Sequence, residues 1–157
     1  MNDRIEVSVG KQRLLDTAQQ LFHERGYRAV TMQDIAREMG IRQASLYYHV
    51  PQGKEQLFVE VAQRDFEKHR QGLQTALAQA EANLEARLCA AARWFTAQPA
   101  MNLLGMMHAD MPALGGDNHR QLNRLAAQCL FEPLTAAFAA AIAAGEIRPM
   151  QPDLLAG

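Results

Sequence analysis

Residues 31–50 read TMQDIAREMGIRQASLYYHV. Six of them carry a recognisable chemistry: Arg42, Gln43, Ala44, Tyr47, Tyr48 and His49. Arginine and glutamine offer paired N–H donors that match base edges. Alanine can meet a thymine methyl, and tyrosine hydroxyls and imidazoles suit phosphate oxygens. Between Lys11 and Lys54, seven basic residues (Lys11, Arg13, Arg25, Arg28, Arg37, Arg42, Lys54) stand against four acidic ones, although the whole chain carries a net charge of −1. A local positive patch on a near-neutral chain fits a focused nucleic-acid contact rather than a surface that coats DNA. The plainer alternative for the same letters is a three-helix core with aromatic packing.

Such a face has to be held by neighbouring elements. A first helix is expected over about Lys11–Arg25, with Leu14, Ala18, Leu21 and Phe22 in one apolar stripe and Gly26 at its end. Thr31 should cap a second helix, with Asp34 three residues on as a short capping box. That helix carries Ile35, Ala36 and Met39 and stops at Gly40. A third helix, about Gln43–His49, follows directly and is broken by Pro51 and Gly53. Ala36 is small where two helices must cross, Gly40 suits the turn, and Leu46 would fill the angle between them. Together these letters predict a helix-turn-helix over about 31–50.

The remainder reads as helices too. Ala and Leu supply 45 of 157 residues while Val, Ile and Thr supply 16, so an all-α fold is expected. Alanine shifts along the chain: residues 1–60 hold 4 of the 27. Predicted helices are Lys54 to about Ala80, Asn83–Ala97 with Leu84, Leu88, Ala91 and Phe95 inward, and one after Pro99 ending near Met111. A long last helix spans Asp117–Ala144 with Leu122, Leu125, Leu134, Phe138 and Ile142 inward, kinked at Pro133.

Other chemistries have little to stand on. His108 and His119 are 11 apart with no paired cysteine, so no metal site is expected. Cys89 and Cys129 lack a nucleophile signature, and Asp110 and Asp117 form no recognisable acid–base pair, so no catalytic residue and no cofactor is expected. A redox sensor built on these cysteines is an alternative. The first residues, MNDRIEVSVGKQR, lack the apolar stretch of a secretory signal. The longest purely apolar run, Ala136–Ala144, is nine residues against the roughly 20 of a membrane span. A cytoplasmic protein without a membrane partner is the expectation.

The stretch RLLDTAQQLFHERGYRAVTMQDIAREMGIRQASLYYHVPQGKEQL resembles the tetracycline-repressor-like (TetR) family of bacterial transcription regulators. It has, in order, the apolar first helix ending in F…GY, then T…DIA…G, then LYYH and a KE-L helix start. The family usually has Ser or Thr at Arg42 and an aromatic at Val50, and PQGKE is one residue longer than the commonest spacing. The resemblance implies phosphate contacts from Thr31, Tyr47 and Lys54. It implies groove contacts from Arg42, Gln43, Ala44, Tyr48 and His49.

It further implies a DNA-binding domain over 8–68. A ligand-sensing and dimerising antiparallel helical bundle would follow over 69–157, with PDLLAG as the first turn of a further helix capped by Asp153. A small, apolar or amphipathic effector would meet Trp94, Phe95, Met101, Met106, Met107, His108, Met111 and Phe131, methionine suiting an adaptable pocket. The expected function is a homodimeric, ligand-released repressor on a palindromic operator in double-stranded DNA. The rival is a ligand-binding or interaction bundle that keeps the helix-turn-helix only as scaffold.

Overall fold

The computed structural model describes the backbone of residues 2–98, 106–149 and 151, and their side chains from Gly10 onward except Met107. Among these residues every regular element is helical: α1 Asn2–Ala29, α2 Met32–Met39, α3 Gln43–His49, α4 Lys54–Gln79, α5 Leu84–Ala97, α6 Gly116–Ala126 and α7 Glu132–Ala143. A π turn, Met106–Asp110, and a 3-10 turn, Met111–Ala113, precede α6. A second π turn, Ala127–Phe131, joins α6 to α7. The helices expected after Pro99 and at Asp153 start outside the described residues.

The chain forms two compact units, residues 1–63 with 102–122, and residues 64–101 with 123–157. The first unit is built on the α1 stripe, since Leu14, Ala18, Leu21 and Phe22 are all buried. Beside them lie Ile35, Leu46, Val50, Leu57 and Met111, each fully enclosed. Phe22, Tyr27 and Phe58 form an aromatic cluster with centroids 4.8–6.1 Å apart, in the range where tilted and edge contacts add to area burial. Gly26, at φ 78° and ψ 161°, is non-helical, so the first stretch of α1 ends at Arg25 as expected and a short helical turn up to Ala29 follows across a kink. That extended, positive-φ geometry is nearly glycine-only and is not the left-handed cap expected there.

In the second unit the buried faces differ from those expected. On α5 the buried residues are Ala90 and Ala91, whereas Leu84 and Phe95 are half-buried and Leu88 is exposed. α5 packs on α7, whose buried residues are Ala137 and Ala141. Alanine on both sides lets two helices approach closely.

The expected kink at Pro133 takes the form of the π turn. Proline lacks an N–H, and its ring would collide with the carbonyl four residues back. The chain widens one turn before it, and the Glu132 N–H reaches back to the Ala127 carbonyl. The inserted residue shifts the buried face by one position. Leu122, Ala126 and Cys129 continue as Ala137 and Ala141, while Leu134, Phe138 and Ile142 are half-buried. The nine-residue apolar run also understates this rod. Gly116–Ala143 is, by length and composition alone, long and apolar enough to cross a membrane, with 33% of its most apolar window buried.

Candidate nucleic-acid interface

The helix-turn-helix forms as its letters predict. Thr31 is extended, at φ −111° and ψ 159°. Its hydroxyl accepts the Asp34 N–H at 3.1 Å, and the Asp34 carboxylate accepts the Thr31 N–H at 3.0 Å. These reciprocal bonds satisfy helix N–H groups that otherwise lack partners. They also hold the Asp34 carboxyl below its ordinary pKa, with the Thr31 hydroxyl the main cause. At the other end Gly40 sits in the left-handed region, at φ 67° and ψ 30°. The Ile41 N–H bonds the Ala36 carbonyl at 3.0 Å and the Gly40 N–H bonds Arg37 at 3.1 Å. This is the paired closure of a Schellman turn. Ala36 and Leu46 are buried at the crossing, as their sizes require.

α3 then presents its outward side. Arg42, Gln43, Ala44 and Ser45 are exposed, and Tyr48 is 73% exposed. Arg42 occupies the N-cap without a side-chain cap bond, and its guanidinium has no hydrogen bond or ion pair among the described residues. Ser45 is a further hydroxyl on this side, and the sequence reading passed over it because serine alone carries no distinguishing pattern. Tyr47 is 42% exposed, with its ring edge close to Gly53, where an added Cβ would sit 3.5 Å from it. His49 is half-buried, beside Gly10 and edge-on to Tyr48.

Three cations counted in the local charge excess are held inside the unit. The Lys11 ammonium donates to the His49 carbonyl at 2.9 Å and pairs with Glu60 at 2.5 Å. The Arg13 guanidinium donates to the Met39 carbonyl at 3.1 Å. The Lys54 ammonium donates to the Tyr27 and Val30 carbonyls at 2.9 and 3.0 Å, lying 4.2 Å from the centre of the Tyr27 ring. Partial burial lowers its pKa, against the opposing charge of Asp110. Each cation sits where a helix exposes carbonyls and the negative end of its dipole. Thr31 and Lys54 therefore have donor groups already engaged, whereas the Arg42–Ser45 and Tyr48 side chains are open.

Two carboxylates complete the frame. Asp110 accepts the Tyr27 N–H at 3.0 Å, a donor released by the break at Gly26. Glu55, at the start of α4, accepts the Gly115 N–H and the Asn118 amide, both at 2.8 Å. An anion at the N-terminus of α6 is favourable there. Lys11, Arg13, Glu55 and Asp110 were not singled out for these roles. Their partners are 26 to 83 residues away, and no local pattern marks such a bond.

Of the eight side chains expected at an effector, three described ones belong to the first unit and three to the second. Met106 and Met111 are buried in the first unit, and His108 is exposed there. Met101 and the Met107 side chain lie outside the described residues. In the second unit Phe131 is exposed and Phe95 stacks on His69 at 5.9 Å. Trp94 borders a shallow groove of about 350 Å³ with Ala76, Ala90 and Arg93. The Trp94 ring lies so close to Gly72 that a Cβ there would come within 1.9 Å of it. Cys89 is exposed. Cys129 is buried, and burial, then Glu67, raises its thiol pKa. Among the described residues no group of three or more His, Cys, Asp or Glu could hold a metal ion.

Residues 14–61 match the family described as bacterial regulatory proteins, tetR family. The HTH-type transcriptional regulator LmrA of Bacillus subtilis is 39% identical over 61 residues, which are 39% of this chain and 32% of LmrA. IcaR of Staphylococcus aureus, a negative transcriptional regulator of the biofilm operon icaADBC, is 49% identical over 39 residues, 25% of this chain and 21% of IcaR. The chain thus matches about a third or less of the length of these curated relatives. The structure of AibR in complex with isovaleryl coenzyme A and operator DNA superposes with a TM-score of 0.75 at 26% identity, covering 93% of this chain and 79% of AibR. The capped helix-turn-helix and the match across it agree: residues 14–61 form a domain of the tetR family of bacterial regulatory proteins, and the helical fold around it is shared with AibR.

Proposed function

We propose that this chain is a homodimeric repressor of the bacterial cytoplasm, binding a palindromic operator with two copies of α3 about one helical turn of DNA apart. Residues 8–68 would form the DNA-binding domain and 69–157 the sensing and dimerising one. Gln43, Ala44, Tyr48 and His49 would face the groove, with Arg42 on a base or phosphate. Thr31, Tyr47 and Lys54 would approach the backbone. The observation that carries this reading is the open Arg42–Tyr48 side of α3, which follows directly on the Schellman turn at Gly40. IcaR's description as a negative regulator, and the operator and acyl-coenzyme A in the AibR complex, support repression and an effector.

A small effector in the second unit would release DNA only if it binds one spacing of the two reading helices better than the other. The test is a gel shift at moderate salt with DNA from upstream of the protein's own gene. A shift competed by the same sequence and not by a scrambled one is expected, and no sequence-specific shift overturns the proposal. The scaffold-only alternative predicts dimerisation and ligand binding with no operator shift. A redox sensor is disfavoured at Cys129, since a buried thiol with a raised pKa holds little reactive thiolate.

A further inference from the structure

Beyond Pro133 the second unit carries a hollow of about 320 Å³ lined by Gln74, Leu77, Arg87, Pro133, Ala136 and Ala137. It abuts a larger groove of about 540 Å³, with which it shares Gln74, Pro133 and Ala136. Volumes of about 300–1,000 Å³ are usual for small-molecule sites. The hollow exists because the π turn at Ala127–Phe131 widens the helix before Pro133, and because the positions beyond it are alanines. Such turns recur at functional sites.

The charges decide what the hollow would take. Arg70, on the wall of the larger groove, is spent: its Nε and Nη2 donate to the two Glu67 oxygens at 2.7 and 2.5 Å, and Gln71 donates to Glu67 as well. Glu132, also on that wall, is exposed and solvated. Arg87 differs from both. It is half-buried beside Leu77 and the alanines, and its guanidinium has no hydrogen bond or ion pair among the described residues. A cation partly removed from water gains most from an anion, and its planar fork matches a carboxylate.

We infer that this hollow binds an aliphatic organic acid, with its carboxylate on Arg87, its chain along Leu77, Pro133, Ala136 and Ala137, and Gln74 as a further donor. The inference rests on the effector reading above and names the effector's class. It uses none of the eight side chains expected from the sequence.

Titration calorimetry on the full chain tests it with butanoate, octanoate and dodecanoate against the matching alcohols and alkyltrimethylammonium ions. At least one acid should bind at least tenfold more tightly than its alcohol and its ammonium analogue. Arg87→Gln should lose at least tenfold for that acid, Arg93→Gln on the same helix should leave it unchanged, and Ala136→Leu should fill the hollow and abolish it. Circular dichroism and an unchanged ligand-free operator affinity would show that the variants fold. Binding by none of the acids, equal binding of acid and alcohol, or an unaffected Arg87→Gln overturns the inference. Failure on acids with the operator shift intact leaves the regulator reading standing. Acid binding without an operator shift removes the regulator reading and keeps the site.

Discussion

The Lys11 ammonium donates to the His49 carbonyl across 2.9 Å, tying α1 to the last turn of the outward-facing helix α3. The same ammonium pairs with Glu60 on α4, so one cation fixes the end of α3 against two helices. Arg13 does the same for the end of α2 through the Met39 carbonyl. The tilt of α3 is therefore set by charges that point inward.

Lys11→Met should weaken operator binding several-fold on every sequence alike, with about 1 kcal/mol lost in urea unfolding, the usual size of a part-exposed bond to a charged donor. The salt dependence of binding should keep its slope, because a lysine bonded inward neutralises no phosphate. A slope lower by about one would instead place Lys11 on the DNA backbone.

Gly40→Ala isolates the cost of the turn. A Cβ at Gly40 would meet nothing within 4 Å, so the penalty is conformational. A left-handed alanine costs about 1–2 kcal/mol. Chemical denaturation should show a loss of that size, and a neutral result would mean that the turn does not need φ 67°.

Gly72→Ala probes the second unit separately. The new methyl would overlap the Trp94 ring, which must move. Overpacking of this kind costs about 1–3 kcal/mol. Trp94 is the chain's single tryptophan, so its emission should shift as stability falls. Unchanged emission in a folded variant would contradict the packing described.

Acid should weaken the fold through Glu67. Its carboxyl is pulled from 4.5 to about 2, chiefly by the Arg70 hydrogen bonds and then by Gln71. A depressed folded pKa means that the stabilisation is complete above the unfolded value. It fades as pH falls from about 4.5 toward about 2. Glu67→Gln should flatten the stability profile in that window and change little at pH 7 in its slope. Parallel wild-type and variant profiles below pH 4.5 would show that the pair contributes nothing.

Much of the reading head was legible because its signals are local. Thr31 and Asp34 are three apart, Gly40 closes the helix they open, and Pro51 with Gly53 stops the next. What escaped was long-range or cumulative. Lys11, Arg13 and Lys54 look like DNA-directed charge in a count, yet their partners are carbonyls 24 to 38 residues away. Pro133 announces a disturbance, but only the backbone shows that a π turn absorbs it and moves the buried face to Ala137 and Ala141. The aromatic and methionine residues expected at an effector divide between the two units, and apolar type alone does not say which side of a helix is buried.

The central claim is that the open side of α3 reads sequence while the inward-held Lys11 and Arg13 only position it. Selection from a randomised DNA pool, run with wild type, Gln43→Ala and Lys11→Met, tests this most directly. The account predicts a palindromic wild-type motif with half-sites about one turn apart. Gln43→Ala should alter the preference at one symmetric pair of positions, and Lys11→Met should return the wild-type motif at lower affinity. No enriched motif, or a Gln43→Ala motif identical to wild type, would contradict it.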